Sequence, residues 1–93
     1  MANVVRAAIV QTEWTGDKQS MIDRNVEYAR AAAEQGAQVM CFQELFYGPY
    51  FCQVQENEHF DYAEAIPDGP TTKAMQELAR ETNMVLVVPM FEK

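Results

Sequence analysis

Glu44 is the residue best placed to do chemistry. It follows directly on Val39–Phe42, a short apolar run that reads as a buried strand and stops at Gln43-Glu44. In open α/β sheets, ligands bind outside the carboxyl ends of the strands, so a carboxylate just past such an end is in working position. Leu45, Phe46, Tyr47, Tyr50 and Phe51 crowd the same segment. Rings around a carboxyl strip water from it and raise its pKa, which suits a general acid or base near neutrality. A solvated loop glutamate, or a cap for a short helix, is the competing reading, and position alone leaves both open. Phe46, Tyr47, Tyr50 and Phe51 could wall a small-molecule pocket or seal the end of a sheet. For Phe46, sealing fits better.

The other reactive side chains point to packing. A nucleophilic thiol needs a base or a cation beside it. The single histidine, His59, lies seven residues beyond Cys52 and across acidic residues that disfavour a thiolate. Cys52 therefore reads as a packing residue, and Cys41, inside a strand, more firmly so. Cys52, His59 and Asp61 match no compact zinc spacing and would need further ligands from elsewhere, so no metal site is expected. Residues 31–72 hold seven acids (Glu34, Glu44, Glu56, Glu58, Asp61, Glu64 and Asp68) and no lysine or arginine. A cationic substrate or partner would feel that field, although a solvated acidic loop explains it better. The four glycines are isolated, so no phosphate-cradling loop is present.

These residues need elements to hold them. Val4–Val10 is a β-branched apolar run without clean alternation, as expected for a strand covered on both faces. Asp17 can cap a helix over residues 18–35, whose stripe is Ile22, Val26, Ala29 and Ala33, and Gly36 can end it in a left-handed conformation. Val39–Phe42 is the second strand. Residues 53–69 are polar and irregular, with one helical turn near Phe60–Ala65. Asp68, Gly69 and Pro70 open a second helix, with proline in the first turn. Its inner stripe is Met75, Leu78, Ala79 and Thr82, and Asn83 closes it. Val85–Met90 is the third strand. The order strand, helix, strand, loop, helix, strand predicts an α/β fold with parallel pairing. Three such strands leave bare sheet edges. The expectation is therefore that residues 1–93 form an incomplete portion of a single domain, or a piece that completes itself with another segment.

Composition narrows the partners. The 93-residue chain is 48% apolar and 23% charged, a soluble globular profile. A net charge of −7 argues against nucleic acid and against an anionic membrane surface. No apolar run reaches the length of a membrane span, and no signal-peptide pattern follows the N-terminus. Two cysteines give no disulfide framework, which points to a reducing compartment and a cytoplasmic location by default.

The run VRAAIVQTE, the segment AAAEQGAQVMCFQELF, then GPYFCQ and DGPTTKAMQELARETNMVLVVPMFEK resemble the N-terminal part of the nitrilase superfamily of carbon–nitrogen hydrolases across essentially the whole chain. FQELFYGPYFC is the most specific piece. It resembles the branch of β-ureidopropionases and N-carbamoylputrescine amidases, which hydrolyse N-carbamoyl amino acids and amines. The resemblance implies an α-β-β-α sandwich, usually dimeric or larger, working through a Glu-Lys-Cys triad with no metal or cofactor. It makes Glu44 the catalytic glutamate and Tyr50 a residue lining the substrate pocket. The family's lysine and cysteine fall beyond Lys93, because Lys93 comes too early and Cys52 lies on the wrong element. The implied substrate is a small amide or N-carbamoyl compound, first a carbamoyl amino acid, alternatively N-carbamoylputrescine or another simple amide. The reading from a different class is a non-catalytic α/β interaction fragment.

Overall fold

A computed structural model describes residues 4–48 and 62–92. Strand β1 is Ala7–Ile9, helix α1 Lys18–Glu34, strand β2 Val39–Cys41, helix α2 Pro70–Thr82 and strand β3 Val85–Val87. The three strands form one parallel sheet in the order β1-β2-β3. Ala7, Val39 and Val85 lie in register in one row, and Ile9, Cys41 and Val87 in another. This is the α/β arrangement expected from the alternation of elements.

Local chemistry sets the helix ends. The Asp17 side chain accepts from the Ser20 amide at 2.9 Å, satisfying one free donor of the first turn of α1. At the other end, Gly36 takes φ 90°. Its amide bonds the Ala33 carbonyl and that of Ala37 bonds Ala32, both at 3.0 Å, the paired closure that a left-handed residue permits. Pro70 opens α2, and Asn83, with φ 55°, closes it.

Both helices cover the same face of the sheet. Each strand is added on the same side of its predecessor, and right-handed crossovers then place α1 and α2 together. The core lies between them and the strands. It contains Ile22, Ala29, Met40, Phe42, Phe46, Tyr47, Met75, Leu78 and Met84. The inner face of α1 is turned slightly from the expected stripe. Met21 and Asn25 are fully buried, while Val26 and Ala33 are half-buried.

Two expectations need correction. The apolar run Val4–Val10 yields a strand of only three residues, and Val4 and Val5 are exposed. Nor are the strands covered on both faces. Ile9 is 87% exposed, Val85 63% and Val87 48%. The bare side follows from the helices sharing one face, and it leaves two rows of apolar side chains uncovered among the described residues.

Candidate functional site

The turn after β2 is fixed on both flanks. The Phe42 amide donates to the Val87 carbonyl at 3.1 Å, continuing the pairing with β3. The Gln43 side-chain oxygen accepts from the Thr12 amide at 2.6 Å, and Thr12 Oγ1 accepts from Arg24 of α1 at 3.2 Å. Leu45 has φ 53°, a left-handed conformation that costs an L-residue about 1–2 kcal/mol. Such backbone persists only where its surroundings over-determine it. Here the Gly48 amide closes onto the Leu45 carbonyl at 3.1 Å. Phe42 and Phe46 stack with centroids 5.0 Å apart, and Tyr47 meets Phe46 edge-on at 5.5 Å.

Between these anchors, Glu44 is the only exposed residue from Phe42 to Gly48. The turn half-buries Gln43 and Leu45, buries Phe42, Phe46 and Tyr47, and presents this one carboxylate at the carboxyl end of the middle strand. That differs from the expected ring of aromatics. Phe46 and Tyr47 are 0% and 1% exposed and serve the core rather than walling Glu44, so the sealing role holds for both. Tyr50 and Phe51 lie outside the described residues.

Tyr47 also carries a polar tip. Its hydroxyl donates to the Tyr62 carbonyl at 2.9 Å and accepts from the Phe91 amide at 3.2 Å, joining the turn to the strand end beyond β3. Burial pushes its phenol above the ordinary value of 10.0. The hydrogen bond with Phe91 opposes this rise and the nearby Glu64 charge adds to it, so the hydroxyl stays protonated as a donor.

Glu64 was read as one acid of a solvated loop, but it is 6% exposed. Its carboxylate accepts from the Thr71 amide at 2.9 Å and from the Thr71 hydroxyl at 2.5 Å, and it pairs with Lys18. The N-cap of α2 is Gly69, which has no side chain to offer, so Glu64 does the capping from outside the helix. Gly69 is required there by space. An added Cβ would lie 2.7 Å from the Ala65 carbonyl and 2.8 Å from the Glu64 carboxylate. Lys18 also stands 5.0 Å above the Tyr47 ring, so the starts of both helices and the Glu44 turn meet in one cluster. Burial raises the pKa of Glu64, but the hydrogen bonds from Lys18 and Thr71 and the Lys18 charge outweigh it and hold the carboxyl below 4.5.

Glu34 and Asp68 are exposed, as a solvated acidic segment requires. Cys41 is a half-buried free thiol at the end of β2. Cys52, His59, Asp61, Glu56 and Glu58 lie outside the described residues. Among the described residues, no three histidines, cysteines or acids are placed to hold a metal ion. No helix among them is long and apolar enough to cross a membrane. A groove of about 620 Å³ runs between β1 and α1, lined by residues such as Arg6, Ile9, Tyr28 and Gln35. It lies along the edge of β1 that pairs with no other described strand, and Glu44 is not among its lining residues.

The carbon-nitrogen hydrolase family model matches residues 6–93, and the chain belongs to that family. It is 39% identical over 90 residues to an N-carbamoylputrescine amidase of Solanum lycopersicum, covering 97% of this chain and 30% of the relative. It is 30% identical over 98 residues to a beta-ureidopropionase of Arabidopsis thaliana, covering 97% of this chain and 24% of the relative. The crystal structure of a carbon-nitrogen hydrolase from Helicobacter pylori G27 superposes with a TM-score of 0.85 at 24% identity, over 96% of this chain and 30% of that one, and shows the shared fold. The chain thus spans about 30% of the length of the curated N-carbamoylputrescine amidases it matches.

Proposed function

We propose that this chain supplies the glutamate of a Glu-Lys-Cys hydrolase that cleaves a carbon–nitrogen bond in an N-carbamoyl amine or amino acid. The observation that carries the reading is Glu44 itself, an exposed carboxylate on a backbone clamped at the carboxyl end of the central strand. In the family reaction the cysteine attacks the carbonyl carbon and the glutamate takes the thiol proton. The lysine steadies the developing oxyanion. Glu44 then gives that proton to the leaving ammonia, later takes one from the attacking water and returns it to the departing cysteine thiolate, so it is a carboxylate again at the end of each half-reaction. Tyr50 lines the substrate pocket in this reading. The lysine and cysteine come from polypeptide beyond Lys93, so the 93 residues alone should release no ammonia above a Glu44→Gln control.

Two observations favour a carbamoyl amine over a carbamoyl acid. Identity to the tomato N-carbamoylputrescine amidase is 39%, against 30% to the beta-ureidopropionase. The stretch 31–72 is acidic and free of lysine and arginine, which suits a cationic substrate. In the complete enzyme, Glu44→Gln should abolish ammonia release from N-carbamoylputrescine while leaving the melting temperature unchanged. Near-normal turnover would sink the assignment. Faster turnover of N-carbamoyl-β-alanine would reverse the substrate preference. Coding sequence beyond Lys93 should supply a lysine and then a cysteine, each after a new apolar strand. A stop codon there would favour the second reading, a non-catalytic module, to which the uncovered sheet face lends support.

A further inference from the structure

We infer that Gln43 is the positioning residue for Glu44, through the hydrogen bond that its side chain accepts from the Thr12 amide. The inference rests on the catalytic reading of Glu44 and extends it to the adjoining residue. The Thr12 amide meets Gln43 Oε1 at 2.6 Å, and the residue after Glu44 is held at φ 53°. On the far side of Glu44, the turn is secured by buried rings and by the Tyr47 hydroxyl. On the near side, the backbone pairing of β2 with β3 ends at the Phe42 amide. Beyond that point the Gln43 side chain holds the backbone before Glu44, reaching across to the loop leaving β1. That loop is in turn tied to α1, because Arg24 donates to Thr12 Oγ1 at 3.2 Å. A single side-chain oxygen therefore sets where the chain stands as it enters the left-handed step, and so where the Glu44 carboxylate points. Its polar type is explained by this bond. An apolar side chain of the same length would fill the space and leave the Thr12 amide without its acceptor.

The test compares Gln43→Met, which keeps the length and removes the acceptor, with Gln43→Glu, which restores an acceptor oxygen. In the complete enzyme, with ammonia release from N-carbamoylputrescine and N-carbamoyl-β-alanine as the assay, Gln43→Met should lower kcat by about tenfold or more with KM within about twofold, since small misplacement of a reacting group is costly. The melting temperature should stay within a few degrees, and Gln43→Glu should recover most of the lost kcat. Unchanged kcat in Gln43→Met overturns the inference. So does a loss that tracks the melting temperature, or one that Gln43→Glu does not relieve. A Glu44→Gln control run beside them separates the two ideas. If Glu44→Gln is inactive while Gln43→Met is fully active, only the positioning role fails. If Glu44→Gln turns over normally, the catalytic reading fails. Should neither substrate be turned over by the wild type, amide exchange in the complete protein decides the geometry. Gln43→Met should speed exchange at Thr12 and alter the Leu45 resonances, and no change at either would overturn the inference.

Discussion

A carboxylate that is 6% exposed, as Glu64 is, survives only if its charge is answered. Lys18 and two donors from Thr71 answer it. Removing one side of such an arrangement leaves the other short of partners, and Lys18, about one-third exposed, can still recover water. Glu64→Ala should therefore cost about 2–3 kcal/mol, somewhat below the value for a fully buried pair. Urea denaturation checks this, and a loss within error would show that the cluster is not holding the helix starts together. The sign of the pH dependence follows from the folded carboxyl titrating below its ordinary 4.5. The stabilisation is complete above that value and is lost as pH falls through the lower, folded one. The acid side of the stability profile should thus flatten in Glu64→Gln. Nothing local in the sequence distinguishes Glu64 from Glu34 or Asp68, both of which are exposed. Its partners lie seven and 46 residues away, and pattern reading sees only neighbours. The placement of Glu44 just past the end of β2 was legible from the apolar run that precedes it. The inward turn of Phe46 and Tyr47 was not, since it depends on the left-handed step at Leu45.

Helices and strands were read more faithfully than side-chain roles, because their ends are written in local chemistry. Asp17, Gly36, Pro70 and Asn83 each sit where their backbone preference or capping group demands. Asn83 offers a direct check. With φ 55° it occupies a conformation that a β-branched residue resists. Asn83→Val should destabilise by about 1–2 kcal/mol, whereas Asn83→Gly should be neutral or slightly stabilising. Equal melting temperatures for the two variants would contradict the left-handed closure. Gly69→Ala should destabilise for a different reason, the 2.7 Å approach to the Ala65 carbonyl. By contrast, Arg30 and Glu81 form a two-pronged pair at 2.6 and 3.0 Å between α1 and α2, but both are exposed. Water and salt screen such pairs, and Arg30→Gln should leave the melting temperature unchanged within error. Strand lengths were overestimated because an apolar run marks what is buried somewhere, not what is paired.

Among the described residues, the sheet has one covered face and one bare. Ala7, Val39 and Val85 form one row of the bare side, and Ile9, Cys41 and Val87 the next. The α-β-β-α sandwich that the sequence resembles would lay a second sheet there. As a free 93-residue chain, the protein should bind an apolar dye such as anilinonaphthalene sulfonate and self-associate as concentration rises. Ile9→Thr combined with Val85→Thr should reduce both effects and cost little stability, since the two side chains are 87% and 63% exposed. Undiminished dye binding would place the apolar surface elsewhere. The sequence did not reveal this asymmetry, because alternation within three-residue strands is too short to separate the two sides.

The strand order β1-β2-β3 is also the order in which the strands leave the ribosome. Each new strand finds its pairing partner already made, and each crossover helix arrives just before the strand it helps to seat. Growth of the sheet needs no earlier segment to wait for a distant one, so loop closure stays short at every addition. This part of the hydrolase fold is therefore suited to assembling during synthesis, with the Glu44 turn set in place as soon as β3 and the residues after it emerge.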